Sequence, residues 1–503
     1  MKKLAFVILG MALCFAEGHA QNNKKQGSST TIDDFLKEAN NDFDNFRKEN
    51  RKDFEAFRQQ CLKDYTDFMR NPWKTFAETK PVPMPRKDTV PPVVMPEEDK
   101  KKQQEDKPVK IDEVVTPTPV QPQPQPVVPI QEVPIDNQPT FKFTFFGTKN
   151  VVRFDKSKLV SLNGIREDDV ARALEQMSGK DYDNMIIDCL QQRDDLQLSD
   201  WAYLLLLKDL SEAVAGKNTN EATLLLAYLY MQSGYKMRLA SDGNRLYMLY
   251  ASRHTIYNQT SYEIDGERYY GVEKLPNRLH ICQASFPKEK SMSLWIDRQP
   301  QFYAEVSPKR TIASKQYADL KMTVCVNRNL IDFYNTYPTS MVDNNVMTRW
   351  AMYANTPMSD EVKKQLYVPL KEKLKGCTQA EAVNKLLDWV QTGFDYKYDD
   401  KVWGYDRTFF AEESLFYPYC DCEDRSVLFT RLVRDLLGLD CLLVYYPGHL
   451  ASAVAFTGEE VRGDYLVLNG KKYVVADATY INAPVGSTMP GMDNSSAKVI
   501  VLK

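Results

Sequence analysis

Tyr419-Cys420-Asp421-Cys422-Glu423-Asp424-Arg425-Ser426 opens the stretch on which the reading of this chain turns. A helix-patterned run follows, Val427 to Leu437, and stops at Gly438, the residue type that most often ends a helix. An apolar strand pattern covers Cys441 to Tyr446. After Pro447-Gly448, His449 leads into a second strand pattern, Leu450 to Phe456. The stretch closes at Tyr473-Val474-Val475-Ala476-Asp477-Ala478-Thr479-Tyr480. A cysteine at a helix start, a histidine on one strand and a carboxylate on the next is the layout of a thiol nucleophile, its base and the group that orients the base. Cys422, His449 and Asp477 are therefore the candidate catalytic residues.

Each residue type suits its position. A thiol at a helix N-terminus ionises more readily, and the same backbone N–H groups can hold an oxyanion. Glu423 and Asp424 fall in the first turn, where acids suit the helix dipole. His449 begins a strand after a tight turn, so its ring can face the helix end. Asp477 interrupts an apolar strand, as a carboxylate fixing an imidazole tautomer would. Singly, each has an ordinary explanation: a buried cysteine is a small hydrophobe, and an aspartate before Ala-Thr is a turn former. Cys420 is a rival nucleophile by type, but it precedes the inferred helix. Gln391, Trp403 and Tyr417 are polar-tipped candidates for an oxyanion donor, and the sequence does not choose among them.

The segment resembles the transglutaminase-like superfamily, whose fold is papain-like. In that family the nucleophile lies in a Gly/Asp-Asp-Cys-x-Asp-x-(Ala/Ser) motif at a helix start. Cys422, Asp424 and Ser426 match it. The family's Asp-x-Thr strand is matched by Asp477-Ala478-Thr479, and its helix end by Arg434 to Gly438, one residue longer. Asp388-Trp389-Val390 and Phe394-Asp395-Tyr396 resemble the family's approach helix and aromatic step. The departure is His449-Leu450-Ala451 where the family commonly has His-Ala-Trp, which puts the shape of the acyl site in question. The resemblance covers about residues 361 to 490. It implies a Cys-His-Asp triad that forms a thioacyl intermediate from an amide. Hydrolysis of that intermediate makes a peptidase or amidase. Attack by an amine makes a cross-linking acyltransferase. A non-catalytic binding or scaffold protein is the third reading.

Sliding the chain against itself by 204 residues reveals a second feature. Ala222 to Tyr235 falls on Ser426 to Leu439, and Ile264-Asp265-Gly266-Glu267 falls on Leu468-Asn469-Gly470-Lys471, with no gap. Both stretches read helix, Gly stop, strand, strand, turn, strand. An internal duplication is expected. At this offset Cys422, His449 and Asp477 fall on Asn218, Arg245 and Glu273, so the first copy is expected to be non-catalytic.

Outside the two copies, residues 31–76 carry an aromatic pair every eleven residues: Phe43 and Phe46, Phe54 and Phe57, Tyr65 and Phe68, preceded by Ile32 and Phe35. Eleven residues over three turns is about 3.67 per turn, which keeps the stripe on one helical face. Such a stripe packs on a partner helix, on a second copy, or on the chain's own globular part. Of the 27 prolines, 15 lie between Pro81 and Pro139, and residues 80–138 read as an extended spacer. Residues 1–20, with Lys2, Lys3 and the apolar run Leu4 to Ala16, read as a secretory signal.

The expected fold class is α+β. A transglutaminase-like domain spans 361–503 and a degenerate copy 139–280, joined by a β-rich bridging region, 281–360. The signal (1–20), a helical arm (21–79) and the proline-rich linker (80–138) precede them. The net charge of −3 gives no ground for a nucleic-acid partner. A peptide or protein substrate and a secreted or periplasmic location are expected. Four histidines and no paired Cys-x-x-Cys spacing give no ground for a metal or cofactor.

Overall fold

In the computed structural model, the described residues are 32–85, 90–100, 104–117, 121–132 and 134–503. The expected signal segment lies outside them. The aromatic repeat forms one helix, α1 (Ile32–Met69). The chain divides into two compact units between Phe57 and Arg58. In the first unit, Phe43, Phe46, Phe54 and Phe57 are exposed. In the second, Arg58 donates to Asp183 at 2.5 Å, and Tyr65 meets Phe286 edge-on with centroids 6.1 Å apart. Among the described residues no helix is long and apolar enough to cross a membrane.

The second unit is built around two seven-stranded sheets. The first follows helix α2 (Asn220–Gln232) and contains β1 (Met237–Ser241), β2 (Leu246–Ala251), β3 (Ser261–Ile264), β4 (Glu267–Gly271) and β5 (His280–Ile281). The second is preceded by α3 (Gln379–Gly393) and α4 (Cys422–Leu437). It contains β6 (Cys441–Tyr446), β7 (His449–Val454), β8 (Asp464–Leu468), β9 (Lys471–Ala476) and β10 (Ala497–Val501). Spatial order in the first sheet is β5-β1-β2-β4-β3, and in the second β10-β6-β7-β9-β8.

The registers repeat residue for residue. Met237 pairs with Tyr250 as Cys441 pairs with Val454. Tyr270 pairs with Tyr250 as Val474 pairs with Val454. Tyr262 pairs with Tyr269 as Leu466 pairs with Tyr473. Every partner is displaced by the same 204 residues. The hairpin turns Asp265-Gly266 and Asn469-Gly470 both take positive φ at both positions, the backbone that two-residue hairpins favour. Lys236 is bridged to Glu267, and at the corresponding positions Asp440 is bridged to Lys471 with the charges exchanged. A one-residue slip would turn every side chain to the opposite face, so a shared register means shared inner faces. This is an α+β fold with two half-barrel sheets of similar size, consistent with a duplicated β-rich core.

The chain itself shows why the sheets curl. Lys74–Thr75 pairs with β5 at one edge of the first sheet, and Glu78–Thr79 with β3 at the other. Thr75 to Glu78 is three Cα steps, a reach of about 11 Å. A flat sheet of this width would separate its edges by about 28 Å. The second sheet repeats the device: Lys107–Pro108 flanks β8 and Ile111–Val115 flanks β10. The strap runs antiparallel to the edges of the first sheet and parallel to those of the second, because it crosses them in opposite senses.

The region expected to be a spacer therefore holds to the body of the protein through much of its described length. Val109, Val115 and Val128 are buried, and Arg193 donates to Pro124 O at 2.9 Å. An extended, proline-rich chain has no internal hydrogen bonds, so its free backbone groups can serve a sheet edge instead. Residues 281–360, expected to be β-rich, are mixed. They hold the hairpin Arg310–Ala313 with Lys321–Val324, and the helices Arg328–Tyr334 and Thr348–Asn355.

Candidate active site

Helix α4 is buried along its whole first part, from Cys422 to Val433. It lies between β7 and α3. A helix with Glu423, Asp424, Arg425 and Ser426 buried must satisfy each polar group internally. Asp424 accepts the N–H of Asp421 at 3.2 Å and that of Phe409 at 2.7 Å, which closes the helix start. Arg425 donates to the carbonyls of Gln391 and Phe394, at 3.2 and 2.8 Å. Ser426 Oγ donates to Leu450 O at 2.9 Å and so ties the N-terminal part of α4 to the strand that begins with His449. Cys422 is the first residue of this helix, and its thiol donates to Glu423 Oε2 at 3.2 Å.

His449 and Asp477 meet directly. His449 Nε2 and Asp477 Oδ2 are 2.8 Å apart, with both side chains buried. The other carboxylate oxygen, Oδ1, accepts the N–H groups of Thr479 at 2.8 Å and Tyr480 at 3.3 Å. Asp477 is therefore fixed by its own chain on one side and fixes the imidazole with the other. The remaining ring nitrogen, His449 Nδ1, is buried without a hydrogen-bond partner. An imidazole held at Nε2 by a carboxylate has Nδ1 left for proton transfer.

The three oxyanion-donor candidates are placed differently. Gln391 Nε2 donates to the carbonyls of Asp477 and Ala483, at 2.9 and 3.1 Å, while its Oε1 accepts from Asn482 N. It is thus a brace for the Asp477 loop. Tyr417 donates to Asn335 Oδ1 at 3.0 Å. Trp403 Nε1 is buried without a partner. A fourth residue enters through topology. Tyr396 pairs in parallel with Cys420, and Arg425 lies 5.3 Å from its ring centroid. Burial, then the adjacent Cys422, raise the Tyr396 phenol above its ordinary range, so it remains a hydrogen-bond donor. Tyr396 also lines a cavity of about 590 Å³ with Lys397, Tyr398, Lys401 and Tyr419.

Cys420 is buried, and burial pushes its thiol up to about 11. All eight described cysteines are free thiols. Asp399, Asp421 and Glu423 bring carboxylate oxygens within 4.8 Å of one another. Oxygen-rich groups of this kind are what a hard cation takes. Burial, and then the neighbouring Glu423, raise Asp421 well above the carboxylate range. Burial, and then Asp399, do the same for Asp424. Crowded acids in this state share protons. Another cavity, about 600 Å³, includes Lys236, Arg253 and Arg268 in its lining and shares no residue with the Cys422, His449 and Asp477 group.

One further segment reaches the candidate site. Val90 Cγ2 lies 3.3 Å from where a Cβ on Gly448 would stand. Val93 O accepts from Ile481 N at 2.8 Å, and Met95 N donates to Ile481 O at 2.9 Å. Met95 is buried with Tyr480, Ala483 and Met489.

No family model, no curated protein and no solved structure matches this chain.

Proposed function

We propose that the chain is a cysteine-dependent amide hydrolase of the transglutaminase-like type, with Cys422 as nucleophile, His449 as base and Asp477 as orienter. The observation that carries this reading is the 2.8 Å His449–Asp477 bond with Nδ1 left unpartnered, on a strand tied through Ser426 to the N-terminal part of the Cys422 helix. His449 takes the proton of Cys422, and the thiolate attacks the carbonyl carbon of a peptide amide. The C–N bond breaks as His449 returns its proton to the leaving amine. Water, deprotonated by His449, then attacks the thioester, releasing the acid and restoring the thiol. The N–H groups at the start of α4 and the Tyr396 hydroxyl are the donors suited to the oxyanion. The cavity formed with Lys397, Tyr398, Lys401 and Tyr419 supplies a peptide-sized site next to it.

The test is a thiol-reactive probe together with a peptide-amide screen. Cys422→Ala is expected to lose the labelling that the parent chain shows at that peptide, and to lose amide cleavage. Turnover that rises with an added primary amine, and yields the amine adduct, would assign acyl transfer in place of hydrolysis. Equal cleavage by parent and Cys422→Ala would remove the nucleophile assignment.

A further inference from the structure

The first sheet carries a site of its own at the positions that correspond to the catalytic group. Arg245 stands immediately before β2 and His449 opens β7, and Glu273 follows β4 as Asp477 follows β9. The two side chains meet: Arg245 Nη2 donates to both oxygens of Glu273 at 2.8 Å. Asn218, the counterpart of Cys422, joins them around one cavity of about 140 Å³, together with Lys208, Glu212 and Lys217. Asn218, Arg245 and Glu273 thus line a single cavity, at the positions that the 204-residue offset matches to Cys422, His449 and Asp477. The dyad has changed from an imidazole and a carboxylate to a guanidinium and a carboxylate. It can no longer move a proton near neutral pH, since arginine does not deprotonate there.

The remaining chemistry is that of binding. Lys208 is engaged by Glu212 at 2.7 Å and Glu273 by Arg245. Beside that bond the Arg245 side chain keeps 32% exposure. Lys217 is exposed and makes no ion pair among the described residues. The cavity sits at the start of α2, a 13-residue helix whose N-terminus favours an anion. Its floor is apolar, including Leu226, Met248 and Val272. At about 30 Å³ per water, 140 Å³ holds only four or five waters' worth of ligand, below the size of a nucleotide or a sugar chain.

We infer that this cavity is an accessory binding site for the C-terminal carboxylate and last aliphatic side chain of a peptide. The apolar floor takes the side chain, and the exposed part of the Arg245 guanidinium with the Lys217 ammonium takes the carboxylate. The inference goes beyond the proposed amidase reading and does not require it, because it concerns binding by residues of the first sheet. It is tested in the full chain carrying Cys422→Ala, so that turnover plays no part. Acetyl-Gly-Leu with a free carboxylate, and the same dipeptide as its C-terminal amide, are titrated by calorimetry. The acid is expected to bind at least tenfold more tightly than the amide. Lys217→Glu, at an exposed position that leaves the fold alone, is expected to weaken the acid by about tenfold and leave the amide unchanged. Arg245→Gln is expected to abolish the preference for the acid. Equal affinity for acid and amide, or an acid preference that survives Lys217→Glu, overturns the inference. So does an acid preference that disappears only with Lys397→Glu and Lys401→Glu, which would put the peptide beside the second sheet. Failure of amide cleavage in the parent chain leaves every one of these outcomes as it stands.

Discussion

Asp477 shows how much one carboxylate is asked to do. Its Oδ2 holds His449 Nε2, its Oδ1 caps Thr479 and Tyr480, and its backbone carbonyl is held by Gln391. Asp477→Asn keeps the shape but presents an amide to the ring and favours the wrong tautomer. Amide turnover is expected to fall by about 10³- to 10⁴-fold with little change in KM. Unchanged turnover would remove Asp477 from the orienting role. This residue was legible in the sequence because a charged group interrupting an apolar strand needs a buried partner. Tyr396 was not, since its closeness to Cys422 comes from a parallel pairing with Cys420 that no local pattern announces. Glu412 was equally hidden. It is fully buried, accepts from Ser359 N, and burial pushes it up to about 7 from an ordinary 4.5. A raised acid binds more protons in the folded chain than in the unfolded one. Its contribution to stability is therefore present at low pH and is lost as pH rises from 4.5 through 7. At 1.36 kcal/mol per unit this amounts to at most about 3 kcal/mol. Glu412→Gln is expected to be more stable than the parent by about 1–3 kcal/mol at pH 8 and to lose that advantage toward pH 4.5. Denaturant melts across this range check it, and a pH-independent difference would discard the argument.

At the level of elements, the two glycines that stop α2 and α4 distinguish the two sheet units. Gly234 and Gly438 both take positive φ, +92° and +67°. A Cβ on Gly438 would meet nothing within 4 Å, whereas one on Gly234 would stand 2.2 Å from Gln125 O. Gly438→Ala pays only the left-handed backbone cost, about 1–2 kcal/mol. Gly234→Ala is expected to cost at least about 2 kcal/mol more, because the proline-rich segment at Gln125 must also move. Equilibrium unfolding of both variants decides this, and equal losses would mean that the segment yields freely. Helix, Gly stop and strand order were readable in both copies because each signal is local: apolar period, a terminal glycine, a two-residue turn. The role of the proline-rich segment was not. Its composition specifies an extended chain, and an extended chain is compatible both with a free spacer and with an edge strand. The choice is made by β8 and β10, which lie hundreds of residues away.

At the level of the whole molecule, the same strap that closes the sheets bears on access to the candidate active site. Cys422, His449 and Asp477 are all but closed to solvent, at 1, 0 and 2% exposure. A peptide cannot reach Cys422 unless something over it yields. The segment Val90 to Met95 flanks the group on two sides, touching Gly448 beside His449 and pairing with Ile481 beyond Asp477. It is held by two backbone hydrogen bonds and by Met95, Val90 and Val93 on a small apolar cluster, a tie worth only a few kcal/mol. Met95→Asp places a carboxylate among Tyr480, Ala483 and Met489 and should release this tie while leaving both sheets paired. The rate of Cys422 alkylation, read by peptide mapping so that the other seven described cysteines serve as internal controls, is expected to rise at least tenfold. Proteolysis within 90–95 should accelerate in parallel, and the main unfolding transition should stay in place. If proteolysis accelerates and Cys422 alkylation does not, the strap is loose but is not what covers the thiol, and the lid must be sought in the Tyr396–Lys401 wall instead.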